Sequence, residues 1–314
     1  MNRALIIGSA GQIGTELRET LAAKYGKENV LATDIRPNDA ADYPFEVLDI
    51  LDNDKLLSIL KTGNFTEVYL LAAMLSATAE KMPLKGWSLN MDSLFNVLEA
   101  QREGLFEKLF FPSSIAVFGN NTPKNPTPQE TTIEPATVYG ISKQSGEQWC
   151  AYYKEKYGCD IRSIRYPGLI SYKTLPGGGT TDYAVQIFYD AIEKGHHTCF
   201  LNEETRLPMM YMSDAIRGTI ELMEAPKESL TVKTSYNFAA FSFTPAELAD
   251  IIKKSIPEFT ISYEPDFRQG IANSWPQVID DSAAQKDWNW SPKYNLEAMA
   301  NDMISNLKLK LAQA

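Results

Sequence analysis

The chain has 314 residues, of which 44% are hydrophobic and 22% are charged. This composition is typical of a globular protein with a sizeable core, built as two domains or as one large α/β domain with an added lobe. A net charge of −10 argues against a protein that binds nucleic acid or anionic membranes. The longest apolar run, 68–75, is far shorter than a membrane span, and no leader-like segment precedes the first strand. We therefore expect a cytoplasmic protein.

The cysteines and histidines exclude further kinds of site. Cys150, Cys159 and Cys199 are odd in number and widely spaced, which argues against a disulfide framework or a Cys-x-x-Cys metal site. The two histidines, His196 and His197, are adjacent, and neighbouring side chains on a strand or helix point in different directions. We therefore predict no metal site, and we expect any acid–base chemistry to use tyrosine, lysine, serine or carboxylates.

The first half of the chain alternates short apolar runs with amphipathic stretches. Strands are predicted at 4–7, 30–33, 45–48, 67–73, 108–113 and 161–166. Helices are predicted between them at 13–25, 54–61, 86–103 and 139–157. This alternation is typical of an α/β fold with a doubly wound parallel sheet, covered by helices on both faces.

The pattern changes after residue 167. A segment rich in proline and glycine, 176–179, precedes a predicted helix at 180–194, and a strand at 236–239 is predicted to rejoin the sheet. Helices at 245–255 and 296–311 flank a short predicted strand at 260–263. We therefore predict a sheet domain of residues 1–168, rejoined by 212–240, and a smaller discontinuous lobe of residues 169–211 and 241–314.

A glycine-rich turn follows the first predicted strand. Glycines at this spacing allow a sharp turn and bring the backbone, with the N-terminus of the next helix, close to a pyrophosphate. An ordinary glycine-rich strand–helix turn is the alternative. The motif predicts that a dinucleotide contacts Gly8, Ser9, Ala10, Gly11, Gln12, Ile13 and Gly14.

An acidic residue stands where the second predicted strand ends. Asp34 lies 20 residues beyond Gly14, where a carboxylate accepts hydrogen bonds from the adenosine ribose and repels a 2′-phosphate. NAD is therefore predicted over NADP, although a guanidinium such as Arg36 can hold a 2′-phosphate. Asp49 and Ile50 are predicted to meet the adenine, with an exposed loop acid as the alternative.

Tyr139 and Lys143 form a Tyr-x-x-x-Lys pair on one helical face. About one such pair is expected by chance. The sequence contains a second pair, Tyr152 with Lys156, so context must decide between the two. Only Tyr139 begins a predicted helix after a proline-containing loop, downstream of Ser114 at a strand's C-terminal end, where ligands of open α/β sheets gather. Tyr152 is interpreted as a surface aromatic residue.

These residue types suit proton abstraction without a metal. A free tyrosine has a pKa of ~10. To lower this pKa to near 7, the site must stabilise the phenolate over the phenol by about 4 kcal/mol. One cation ~5 Å away supplies about 3 kcal/mol at an effective dielectric constant of ~20, so Lys143 and an oxidised nicotinamide would together suffice. Ser114 is predicted to position the reacting oxygen by a hydrogen bond.

Together these motifs resemble the extended short-chain dehydrogenase/reductases, the NAD-dependent epimerase/dehydratase-like enzymes with a Rossmann fold. The segments 70–73, 212–215 and 287–292 also match, although Asn289 replaces a family glycine. The resemblance implies NAD as cofactor and a homodimer formed through the helices that hold Asn90 and Tyr139. The further NAD contacts that it implies are Ile35, Leu71, Ala72, Ala73, Asn90, Tyr139, Lys143, Tyr166 and Leu169.

Three segments, 165–170, 176–184 and 268–276, are similar to those of short-chain-type L-threonine 3-dehydrogenases. This similarity implies oxidation of the β-hydroxyl of L-threonine by NAD to L-2-amino-3-oxobutanoate, the first step of threonine catabolism. The candidate substrate residues are Ser76, Ser114, Tyr139, Gly178, Thr180 and Trp275.

Alternatives remain open at this point. The glycines 177–179 are interpreted as a seat for a small carboxylate at a helix N-terminus or as a hinge of a lid. Thr180 could be a helix N-cap, and Trp275 could be a core residue of the lobe. A nucleotide-sugar epimerase or dehydratase would share Ser114, Tyr139 and Lys143, and a non-catalytic NAD-sensing protein would need only the glycine turn.

Overall fold

The computed structural model describes residues 2–38, 42–175 and 177–312. The strands, in chain order, are β1 (Ala4–Ile7), β2 (Val30–Asp34), β3 (Phe45–Val47), β4 (Glu67–Leu70), β5 (Lys108–Ser114), β6 (Asp160–Tyr166), β7 (Gly168–Ile170), β8 (His196–Cys199), β9 (Leu207–Tyr211), β10 (Tyr236–Asn237), β11 (Phe241–Phe243) and β12 (Thr260–Tyr263).

The helices, in chain order, are α1 (Gln12–Tyr25), α2 (Asn53–Gly63), α3 (Ser76–Lys81), α4 (Pro83–Arg102), α5 (Val138–Tyr157), α6 (Tyr183–Glu193), α7 (Met212–Glu224), α8 (Pro245–Ser255), α9 (Phe267–Ser274), α10 (Ser282–Trp288) and α11 (Leu296–Ala312). Within the described ranges, no helix has both the length and the apolar character that crossing a bilayer requires.

Seven parallel strands form the large sheet, in the order β10-β6-β5-β4-β1-β2-β3. From β1 the chain first adds strands on one side, through β2 to β3. It then returns to β4 on the other side of β1 and continues through β5 and β6. The strand order therefore reverses between β1 and β4, and in open α/β sheets ligands bind outside the C-terminal strand ends at such a point.

Both faces of the sheet are covered, as the alternating strands and helices predict. Along β1, Ala4 and Ile6 pack into the core formed with α1 and α7, whereas Leu5 and Ile7 pack into the core formed with α2, α4 and α5. Alternate side chains of a strand point to opposite faces, so a strand buried on both sides is apolar throughout. This confirms the predicted doubly wound α/β fold.

A smaller lobe follows β6. It contains a three-stranded sheet in the order β11-β9-β7 and a parallel pair of β12 with β8. Helices α6, α8 and α11 enclose a third apolar core there. Residues 212–240 return to the large sheet, where α7 packs against α1 and β10 pairs with β6.

The elements that were predicted differ from the observed ones mainly at their ends. The strand predicted at 67–73 ends at Leu70, and the helix predicted from Thr180 begins at Tyr183 with Asp182 as its N-cap residue. Pro176, in the predicted glycine-rich segment, lies outside the described residues. Several other elements were not predicted, namely β7, β8, β9, β11, α3, α7, α9 and α10. Most of them have eight residues or fewer and so carry little periodicity, whereas α7, with 13 residues, is long enough to have been predicted.

Gly218 on α7 is packed too closely for a side chain. A Cβ there would lie 2.3 Å from Cζ of Phe238 and 2.7 Å from Cζ3 of Trp290. The indole cannot easily move, because its Nε1 donates to Asp281 Oδ2 at 3.0 Å. We expect Gly218→Ala to lower the free energy of unfolding by about 1–3 kcal/mol, measured by urea denaturation.

Gly270→Ala is the matched control for this substitution. Gly270 lies inside α9, and a Cβ there meets no atom within 4 Å. Because alanine has the higher helix propensity, this variant should be neutral or more stable by up to ~1 kcal/mol. Equal unfolding midpoints for the two variants would contradict the packing argument.

Candidate active site

A cavity of about 420 Å³ lies outside the C-terminal ends of β1, β4, β5 and β6. It brings together most of the residues that the sequence predicted for the site. Those that line it are Gly8, Ala10, Gly11, Gln12, Ile13, Gly14, Arg36, Leu71, Ala73, Ser76, Ser114, Tyr139, Lys143, Tyr166, Leu169, Thr180 and Trp275.

The other predicted residues do not line this cavity. They are Ser9, Asp34, Ile35, Asp49, Ile50, Ala72, Asn90 and Gly178. Ile35 is 62% exposed, whereas Ile50 is buried in the core. The Asn90 amide is fully used: its oxygen accepts from the Met74 backbone N–H, and its nitrogen donates to Met74 O and Ser142 Oγ. Asn90 therefore ties the segment after β4 to α5.

The glycine turn fits a pyrophosphate. Gly8 has φ +90°, and a Cβ on Gly8 or Gly14 would come within 2.6 Å of backbone atoms, so the turn can close only with glycine. A Cβ on Gly11 would meet only Gly8 O, at 3.5 Å. Helix α1 begins without a side-chain cap and without an acidic residue in its first turn. Its first N–H groups and positive dipole end therefore suit a phosphate.

Asp34 ends β2 with a buried carboxylate that organises the turn. Its Oδ2 accepts from the Ala10 backbone N–H at 3.0 Å, and its Oδ1 accepts from the backbone N–H and Nε of Arg36. The Arg36 guanidinium also donates to Ala10 O at 3.2 Å and remains largely exposed. Arg36 is thus held beside the carboxylate rather than projecting freely into solvent.

Three polar side chains meet on the opposite wall of the cavity. Ser114 is the last residue of β5, and Tyr139 lies in the first turn of α5. Thr137 caps this helix, because its side chain accepts a hydrogen bond from the Gly140 N–H at 3.0 Å. Lys143 follows one turn later. Its Nζ donates to Pro112 O at 2.6 Å and lies 5.6 Å from the centre of the Tyr139 ring.

Burial perturbs both titratable groups. It raises the pKa of Tyr139 to about 12, and a hydrogen bond with the Ser114 side chain acts in the opposite direction. Burial also lowers the pKa of Lys143 to about 8. The sequence argument considered only the attraction between the two charges, and it left out this desolvation, which disfavours the charged form of each group.

The glycine-rich segment differs from its predicted form. Asp182 Oδ2 accepts from the backbone N–H groups of Gly178 and Gly179, at 2.6 Å each. These amides are therefore not free for a substrate carboxylate, as the sequence interpretation assumed. Thr180 lines the cavity and is not a helix N-cap, and its buried Oγ1 has no hydrogen-bond partner among the described residues.

Asp182 is the charged residue of the cavity wall that the sequence reasoning missed. It lines the cavity, and burial raises its pKa, whereas the amides of Gly179 and Gly178 and the charge of Arg268 lower it. A carboxylate directly after the run of glycines and threonines was the available signal. The described part of the chain contains no cluster of three or more His, Cys, Asp or Glu side chains able to hold a metal ion.

Comparison with known proteins agrees with this geometry. Residues 4–239 match the model of the NAD dependent epimerase/dehydratase family. An uncharacterized epimerase/dehydratase of Staphylococcus aureus (strain USA300) is 46% identical over 315 residues, which cover 99% of this chain and 98% of that protein.

Two solved structures are similar over nearly their whole length. A GalE-like L-threonine dehydrogenase from Cupriavidus necator, in its holo form, is 54% identical with a TM-score of 0.95, covering 97% of this chain and 99% of that one. A monomeric L-threonine 3-dehydrogenase from a metagenome, in its apo form, is 46% identical with a TM-score of 0.95, covering 98% and 99%. The chain therefore belongs to the NAD-dependent epimerase/dehydratase family, the extended short-chain dehydrogenase/reductases that its motifs resemble.

Proposed function

We propose that this enzyme is an L-threonine 3-dehydrogenase, which oxidises the β-hydroxyl of L-threonine to L-2-amino-3-oxobutanoate as the first step of threonine catabolism. The observation that carries the proposal is one cavity that joins the glycine turn, the Ser114–Tyr139–Lys143 group and the Asp182 carboxylate. The 54% identity to the Cupriavidus necator L-threonine dehydrogenase supports it.

The cofactor is NAD, and the glycine turn would hold its pyrophosphate at the N-terminus of α1. The Asp34 carboxylate, fixed by the Ala10 amide, would accept hydrogen bonds from the adenosine ribose hydroxyls. When bound, oxidised NAD supplies the hydride acceptor and a second positive charge beside the Tyr139 phenol.

Tyr139 is proposed as the general base, which takes the proton of the substrate hydroxyl at its phenolate oxygen. Two features of the chain favour the phenolate against its burial: the Lys143 ammonium, 5.6 Å from the ring centre, and the positive end of α5, whose first turn holds Tyr139. Ser114, hydrogen-bonded to the phenol, would position the reacting oxygen.

The lobe of residues 169–211 and 241–314 would supply the substrate pocket. Asp182 suits the α-ammonium of L-threonine, because a buried carboxylate on the cavity wall attracts a cation while the glycine amides hold it in place. The unpartnered hydroxyl of Thr180 suits a further polar group of the substrate. Ser76 and Trp275, which also line the cavity, complete the proposed pocket, and Gly178 contributes to it by holding the Asp182 carboxylate.

The function is tested by following NADH absorbance with purified protein and L-threonine. We expect NAD reduction with L-threonine and none with UDP-glucose. A β-hydroxy acid without the amino group, 3-hydroxybutanoate, should be a poor substrate, because it leaves the buried Asp182 carboxylate without its cation. No reduction with L-threonine would refute the proposal. Conversion of UDP-glucose, followed by chromatography of the nucleotide sugar because an epimerase or dehydratase leaves its NAD oxidised, would favour the nucleotide-sugar alternative.

Tyr139→Phe serves as the matched variant in the same assay. It removes only the phenol oxygen, so NAD binding should remain while kcat falls by at least ~100-fold. Tyr152→Phe, one of the exposed tyrosines of α5, is the control and should retain full activity. Near-normal turnover of Tyr139→Phe would exclude Tyr139 as the base and point away from this mechanism.

Burial of Lys143 predicts a stability change that depends on pH. The pKa of Lys143 is about 8 in the folded protein, against 10.5 for an ordinary lysine. Between these two pH values the lysine is protonated in the unfolded state but neutral in the folded state. The free energy of unfolding therefore rises with pH across this window. Keeping the buried lysine protonated at pH 7 therefore costs on the order of 3 kcal/mol of folding free energy.

We therefore expect Lys143→Met to have a higher Tm than the wild type at pH 7 and to lose activity. The difference in Tm should shrink between pH 8 and pH 10, as the wild-type lysine loses its proton. Lys156→Met, on the exposed side of α5, controls for the loss of a lysine charge. A constant difference in Tm at all pH values would show that the ammonium is not buried at a cost.

We further propose that two copies associate through α4 and α5. An aromatic patch of Phe95, Trp149, Tyr152 and Tyr157 runs along these helices, with neighbouring ring centres 5.0–5.9 Å apart. Trp149, Tyr152 and Tyr157 are each more than 40% exposed. Exposed apolar patches of this kind are typical of protein interfaces, in which aromatic residues are enriched.

Sedimentation velocity tests this association. We expect a dimer for the wild type at micromolar concentration and a monomer for Trp149→Glu, because a carboxylate would be buried in the interface without a partner. Leu309→Glu, at an exposed position of α11, should leave the dimer intact. A monomeric wild type would refute the proposal.

A further inference from the structure

A buried ion pair lies directly beneath the cavity. Glu147 of α5 is fully buried, and Arg165 of β6 is 2% exposed. The pair is bidentate, with Arg165 Nε at 2.9 Å from Glu147 Oε1 and Nη2 at 2.8 Å from Oε2. Ser113 Oγ also donates to Glu147 Oε1, at 2.6 Å. One carboxylate therefore connects a helix with two neighbouring strands.

Each partner of this carboxylate adjoins a residue of the proposed site. Ser113 precedes Ser114 at the end of β5, and Arg165 precedes Tyr166 at the end of β6. Glu147 itself follows Lys143 by one helical turn, on the same face of α5. Neither Glu147 nor Arg165 lines the cavity, so the pair can influence the reaction only through these neighbours.

Stability alone does not explain a charged pair at this position. Desolvating two charges costs about as much as their attraction returns, and well-packed apolar residues of similar volume are often equally or more stabilising. The pair instead fixes geometry, since a bidentate guanidinium–carboxylate contact restricts both the distance and the relative rotation of the two groups that it joins. Asn237 Oδ1 accepts from Arg165 Nη1 at 3.1 Å and restrains the guanidinium further.

We propose that Glu147 and Arg165 are positioning residues, which clamp α5 to the C-terminal ends of β5 and β6 and so set Tyr139 and Lys143 against Ser114. This inference rests on the proposed function for its kinetic test. It concerns the distances among these three side chains, which decide whether the proton can be transferred.

Glu147 also provides the negative charge that favours a protonated Lys143. Burial lowers the pKa of this lysine, and the charges of Cys150 and Glu147 raise it. Burial raises the pKa of Cys150 to about 12, so its thiol is neutral while Lys143 titrates. The other groups beside Lys143 are the phenol of Tyr139 on α5 and, from β5, the Pro112 carbonyl and the Phe111 ring.

The first test separates positioning from stability. In the double variant Glu147→Met/Arg165→Met no charge is left unpaired, so the protein should fold, and kcat with L-threonine should fall by about 10- to 100-fold. The control is Asp160→Asn/Arg162→Met, which removes the bidentate pair at the opposite end of β6 and should keep kcat within about twofold. Both are assayed at temperatures at which circular dichroism shows complete folding.

The second test uses no substrate. In Glu147→Gln the ¹³Cε resonance of Lys143, assigned by its loss in Lys143→Arg, should titrate at lower pH than in the wild type, since the stabilising negative charge is gone. A role confined to packing would leave this midpoint in place. Conservative rescue is expected from Glu147→Asp, which keeps the charge and should titrate closer to the wild type.

Three outcomes would overturn the positioning role. They are a Glu147→Met/Arg165→Met variant with kcat within twofold of the wild type, equal losses of kcat in both double variants, and an unmoved Lys143 midpoint in Glu147→Gln. A wild type that does not oxidise L-threonine would refute the proposed function instead, and the titration would still test the positioning role.

Discussion

The site depends on a lysine ammonium that is buried beside a tyrosine phenol. Lys143 donates to the Pro112 carbonyl and lies next to the Tyr139 ring. Burial favours the neutral form of both groups, raising the pKa of the phenol and lowering that of the ammonium. Each group can hold its charge only with support from its surroundings. Whatever keeps the ammonium charged and in place therefore matters as much as the two side chains themselves.

The parallel sheet supplies the position of this pair. All seven strands run in the same direction, so their C-terminal ends meet at one edge, where the strand order reverses between β1 and β4. The glycine turn after β1 and Ser114 at the end of β5 reach the same cavity from two sides of that point. Helix α5 then crosses above β5 and β6, tied to them by the Glu147 carboxylate.

In the proposed function, the lobe supplies the selectivity for the substrate. The turn and the proposed catalytic side chains would serve many hydroxyl-bearing substrates, whereas the lobe adds Asp182 and Thr180 to the cavity wall. Because the glycine amides already hold the Asp182 carboxylate, the segment offers a negative charge rather than an anion seat. This reverses the sign of the group that it would recognise, from the substrate's carboxylate to its ammonium.

The sequence by itself determined the doubly wound sheet, the glycine turn and the spacing of Tyr139 and Lys143. These features depend on local periodicity, on backbone sterics and on neighbours one helical turn apart. Only the tertiary structure decided that Asp182 occupies the glycine amides, that the Asn90 amide bonds Met74 and Ser142, and that Glu147 meets Arg165. Hydrogen-bond partners and burial depend on residues far apart in the chain, and no local pattern records which of them a folded core brings together.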